Sequence, residues 1–144
     1  MRKMNVIQRI AFAYSVIFFS VVLVNAIPFI HDEQGLMFGL FKLDLIDDLL
    51  HLGSALWALV ASLHSARQSI VYFKVFGIFY VLDGIICFLF GQCLLDVTII
   101  THVHEVSLVS FTTLFERTLI NVPHLVLGAI AVYVGFRMSP KYRV

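Results

Sequence analysis

Charge is what this chain has least of. Lys, Arg, Asp and Glu make up 13% of its 144 residues, where a soluble domain carries about 25%. With 60% apolar residues and a mean hydropathy of +0.96, the chain has more apolar surface than a soluble core of its size can hide, so most of it must face lipid. A net charge of +1 gives no footing for a nucleic-acid partner. Proline is rare, at 3 residues, and no Pro/Gly/Ser-rich linker divides the chain, so a single bundle is expected. Cysteine is rarer still. Cys87 and Cys93 fall in one apolar run, and on a continuous helix they cannot bridge each other, which argues against a disulfide framework. Also missing are a nucleophile elbow, a phosphate-cradling glycine loop, a Cys-x-x-Cys and a His-Glu-x-x-His. An enzyme of familiar soluble type is therefore not expected.

Long apolar runs are what the chain does have. About twenty apolar residues cross a bilayer core as a helix, and four spans are expected, over residues 6–30, 43–65, 70–95 and 118–138. Arg2 and Lys3 precede the first run as they would in a signal peptide. That run is long enough to span, however, and no small-x-small site closes it, so it is expected to stay as a first helix. Pro28 suits the end of the first helix, and Pro123 is expected in the opening turns of the fourth, where a missing N–H costs least. The expected fold class is an all-α integral membrane protein, an up-down-up-down four-helix bundle.

Basic residues gather at the N-terminus (Arg2, Lys3, Arg9), the second connection (Arg67, Lys74) and the C-terminus (Arg137, Lys141, Arg143). The other two connections are acidic, with Asp32, Glu33, Asp96 and Glu105 among their residues. By the positive-inside rule both termini are cytoplasmic. A bacterial inner membrane is the expected location.

One polar plan occurs twice. Asp44 to Ala55 reads D-L-I-D-D-L-L-H-L-G-S-A, and Arg117 to Gly128 reads R-T-L-I-N-V-P-H-L-V-L-G. Aligning His51 with His124 pairs Asp48 with Asn121, Asp44 with Arg117 and Ala55 with Gly128. Steps of four, three and four put each set on one helix face. The halves thus read as an internal duplication, with His51 and His124 at matching depth on diagonal helices facing the outer side.

The run L-M-F-G-L-F-K-L-D-L-I-D-D-L-L-H-L-G (Leu36 to Gly53) resembles the G-L-F-x-V-N-x-x-H-N-x-x-H-L signature of a family of small four-span bacterial membrane proteins known only as a domain of unknown function. I-N-V-P-H-L-V-L-G (Ile120 to Gly128) is similar to that family's D-N-x-x-H-L-x-x-G signature. Asp47-Asp48 and Ile120-Asn121 depart from the residues the family tends to carry there. The resemblance implies the topology and the two-histidine plan, and brings no activity with it.

Several groups are candidates for chemistry. Asp48 with His51, and Asn121 with His124, either orient an imidazole for a proton or metal or simply pin helices together. His102, His104 and Glu105 form a possible zinc or copper ligand set, which His31, Asp32 and Glu33 could complete. Asp83 lies inside the third span and must face inward. It suits either proton or cation handling or a hydrogen bond to Ser54, Ser62 or Tyr14. Asp44 and Arg117 are expected to approach at the outer mouth, and the Trp57 indole to seek Asp83 or a serine.

The first functional expectation is a small non-enzymatic scaffold or accessory subunit in the lipid bilayer. Its outward His/Asp/Asn cluster would bind a divalent metal or a partner, either another membrane subunit or a second copy of the chain. The alternatives are a b-type haem held by His51 and His124, and a cation- or proton-conducting protein built on Asp83.

Overall fold

The computed structural model describes residues 4–41, 43–90, 93–95 and 114–138, apart from the Glu116 side chain. Four helices are long and apolar enough to cross a membrane. They form an up-down-up-down bundle: α1, Val6–Asn25; α2, Leu45–His64; α3, Ala66–Phe90; and α4, Leu114–Tyr133. A π-helical turn, Val134–Met138, extends α4. No more than 39% of the apolar stretch of any helix is buried. Large side chains such as Leu23, Val60, Leu63 and Leu89 point outward, so the surplus apolar surface lies on the outside, as lipid contact requires.

Capping residues set the boundaries. Asn5 and Gln8 form a reciprocal capping box at the start of α1. Asp44 caps α2 by accepting from the N–H groups of Ile46 and Asp47 at 2.7 and 2.9 Å, while the Asp47 carboxylate accepts from the Asp44 N–H. Pro28 opens a short 3-10 turn beyond the end of α1. In the following loop Asp32 Oδ1 accepts from the N–H groups of Gln34 and Leu36, and Gly35 and Gly39 take positive φ. A single residue, Ser65, separates α2 from α3, and its hydroxyl accepts from the Gln68 N–H.

Three expectations about the chain's course need correction. The third helix stops at Phe90 instead of running to residue 95. Cys93 lies beside Cys87 and the two are joined by a disulfide, with their Cα atoms 4.4 Å apart. The expectation against a bridge assumed one continuous helix. Finally, α4 begins at Leu114, which puts Pro123 in its third turn, inside the helix.

Most interhelical contact falls within two pairs, α1 with α2 and α3 with α4; α2 and α3 meet less closely. The first pair closes on small residues: Ala11 and Ser15 on α1 face Ala55, Ala58 and Ser62 on α2, all buried. In the second pair the backbones nearly touch. A Cβ added at Gly77 would lie 2.7 Å from the Val132 nitrogen, and one at Gly128 would lie 2.8 Å from the Val81 nitrogen. Gly128 thus lets α4 approach α3 this closely, and Ala55 is fully buried on α2.

Between the pairs runs a column of rings. Phe76 stacks on Tyr72 at 5.1 Å and on Tyr80 at 4.7 Å. Tyr14 lies edge-on to Phe73 at 5.1 Å and donates its hydroxyl to the Leu127 carbonyl at 2.7 Å, tying α1 to α4.

Candidate functional site

A cavity of about 410 Å³ lies between α2 and α3. Asp47, Leu50, His51, Ser54 and Trp57 line it from α2, spaced by three or four and so on one face. Val75, Phe76, Phe79, Tyr80 and Asp83 line it from α3. Phe18 from α1, His124 from α4, and Cys93 and Leu95 complete the wall. Both aligned histidines therefore line one space.

Asp48 and Asn121 are not among the residues that line this space. Asp48 accepts two contacts from Asn25 Nδ2, at 3.1 and 3.0 Å, and so binds α2 to α1. Asn25 Oδ1 in turn lies 3.2 Å from His31 Nε2, and His31 Nδ1 lies 3.0 Å from the Ile27 carbonyl. His31 thus belongs to an α1–α2 clamp. Asn121 donates to the Arg117 carbonyl one turn back; its Oδ1 is buried with no hydrogen-bond partner among the described residues. Asp44 is occupied as a helix cap. His102, His104 and Glu105 lie outside the described residues.

His51 is oriented by backbone. Its Nδ1 donates to the Asp47 carbonyl at 2.7 Å, and its ring lies 5.7 Å from Phe18. A histidine whose Nδ1–H is held by a carbonyl keeps Nε2 for a ligand. His124 packs on Tyr80, ring centres 4.4 Å apart. Its Nε2 lies 3.6 Å from Asp83 Oδ2, beyond hydrogen-bonding distance. The Trp57 ring lies edge-on to Tyr72 at 5.2 Å, in place of the expected contact with Asp83 or a serine.

Asp83 organises this end of the bundle. It is 2% exposed, and its Oδ1 accepts from the N–H groups of Leu94 and Leu95 at 2.8 and 2.7 Å. The hydrogen bonds expected from Ser62 and Tyr14 go elsewhere, to the carbonyls of Leu59 and Leu127. One helical turn on, Cys87 lies on the same face and bridges to Cys93. Among the described residues the tight group of possible metal ligands is Asp83, Cys87 and Cys93, with ligand atoms within 4.8 Å of one another. The cysteines were not among the expected site residues. The step of four from Asp83 to Cys87 was the signal in the sequence that could have found the first of them.

Fold and cavity together define a multi-pass helical membrane protein with a histidine- and carboxylate-bearing pocket between its two helix pairs. The chain matches no protein-family model, no curated protein and no solved structure.

Proposed function

We propose that this is a small accessory protein of a bacterial cytoplasmic membrane that holds a divalent transition metal between His124 and Asp83, with His51 facing the ion across the cavity. One observation carries the reading: the 3.6 Å separation of His124 Nε2 and Asp83 Oδ2. It is too long for a hydrogen bond. Two ligands each about 2.1 Å from one tetrahedral ion sit about 3.4 Å apart. The second oxygen of Asp83 is held by two amides, the outer support that ligating carboxylates usually have. A haem is less well supported, because His124 turns Nε2 towards a carboxylate instead of an open slot.

Orientation belongs to the same proposal. The basic flanks put both termini in the cytoplasm and the cavity at the outer face. A Cys87–Cys93 bridge at that face agrees with an oxidising compartment outside the membrane.

The test is elemental analysis with an optical spectrum on detergent-purified protein, wild type beside His124→Ala and Asp83→Asn. Stoichiometric zinc, copper, iron or manganese that is lost in both variants is the expected result. A Soret band, or metal content equal in all three proteins, overturns the reading.

A further inference from the structure

The disulfide lies against Asp83, one of the proposed metal ligands, and reduction would make its sulfurs the chain's two thiols. Cys87 and Cys93 approach the Asp83 carboxylate to within 4.8 Å, and Oδ2 of that carboxylate lies 3.6 Å from His124 Nε2. We infer that Cys87 and Cys93 form a redox-gated thiolate half of the site. Reduction would add two thiolates beside the Asp83 carboxylate, a set suited to a thiophilic ion such as Zn(II) or Cu(I). This deepens the metal reading above and rests on it.

The geometry gives a reason to expect a preformed site after reduction. Opening a disulfide ordinarily lets its two chains drift apart. Here Leu94 and Leu95, the residues next to Cys93, are anchored by Asp83 Oδ1 at 2.8 and 2.7 Å. Cys87 is fixed on α3, one turn from Asp83. The same carboxylate therefore holds the Cys93 segment and lies beside both sulfurs. Two thiolates and a carboxylate would supply three of the four positions of a tetrahedral zinc site.

The chemistry balances with a dithiol as reductant. The S–S bond takes two electrons and two protons from the dithiol, which is itself oxidised to a disulfide. The resulting Cys87 and Cys93 thiols release their two protons to water as they bind the cation. Reoxidation by a disulfide of higher potential removes both sulfurs and leaves the ion to the weaker His124–Asp83 pair.

The experiment is an anaerobic Co(II) titration of the full chain in detergent, before and after treatment with a dithiol, with thiol alkylation to count the cysteines freed. The expected result has two parts: a sulfur-to-cobalt charge-transfer band in the reduced protein alone, and tighter binding by about tenfold or more. Cys87→Ser/Cys93→Ser should bind as the oxidised wild type does and show no band under either condition. If the oxidised protein binds Co(II) and reduction adds neither band nor affinity, the redox gate is wrong and the His124–Asp83 reading stands. If only the reduced protein binds, the thiolate site stands and the oxidised-state reading fails. Binding in neither state overturns both.

Discussion

Replacing Gly84 by alanine tests whether the packing of α3 on α4 sets the geometry of the pocket. Gly84 follows Asp83 directly, and a Cβ placed there would sit 2.9 Å from the Cβ of His124. Ordinary contact between such atoms begins near 3.4 Å, so the helices must part locally by about 0.5 Å or His124 must tilt away. Overpacking of this kind costs about 1–3 kcal/mol. If the opening runs along the Asp83–His124 line, their separation grows from 3.6 Å to about 4.1 Å, outside the tolerance of about 0.2 Å per ligand that a metal site allows. Gly84→Ala should therefore lower metal affinity by about 10–100-fold, the range seen when supporting groups are disturbed. The assay is competitive titration with a chromogenic chelator, alongside thermal unfolding followed by circular dichroism. Gly53 supplies the control: it lies on α2 with nothing within 4 Å of an added Cβ, and alanine there should gain up to about 1 kcal/mol of helix stability. A Gly84→Ala protein with wild-type affinity would refute the reasoning, whatever its Tm.

The other predictions concern the polar contacts around the site. Asp83→Ala leaves the amides of Leu94 and Leu95 without their acceptor, at about 1–3 kcal/mol each; a lowered Tm with faster amide exchange at those two residues is expected, and Asp83→Asn should recover part of both. Asp48→Asn weakens the clamp to Asn25 and should reduce stability while leaving metal affinity within error. A large loss of metal would restore Asp48 as a ligand. Tyr14→Phe removes the hydroxyl bonded to the Leu127 carbonyl and should cost about 0.6 kcal/mol, as measured for membrane hydrogen bonds, with no effect on metal content.

Hydropathy makes the four helices legible, because a span announces itself by length and composition alone. The shared cavity of His51 and His124 is also legible, since two stretches with the same spacing open two helices of the same sense. What fails depends on neighbours distant in sequence. Asp48 lies three residues before His51, on its face, and the spacing invites a pair; the carboxylate is held instead by Asn25 of α1, and the carbonyl of Asp47 takes the imidazole. The end of α3 fails for a different reason. Cys93, Leu94 and Leu95 are as apolar as the helix before them, and the two-residue Gly91-Gln92 interruption is too short to end the apolar run. The position of these residues is fixed by Asp83 and Cys87, behind them in the chain. The start of α4 is hidden by Pro123, which reads as an opening residue, whereas the helix begins at Leu114 and carries the proline inside.

The two helix pairs give the bundle the mechanics of a pair of tweezers. One arm is α3 with α4, whose backbones come close at Gly77 and Gly128, with the Val81 side chain also against Gly128. The other is α1 with α2, closed on alanine and serine. At Ser65 the arms share a one-residue pivot, reinforced by the Ser69 hydroxyl on the Ala61 carbonyl at 3.0 Å, and the cavity fills the gap between their tips. Asp83 and His124 ride on the same arm, so their spacing is stiff. His51 rides on the other, so its distance from them depends on the Tyr14 hydroxyl and the ring column that hold the two arms together. A change in that distance would leave the Asp83–His124 spacing untouched.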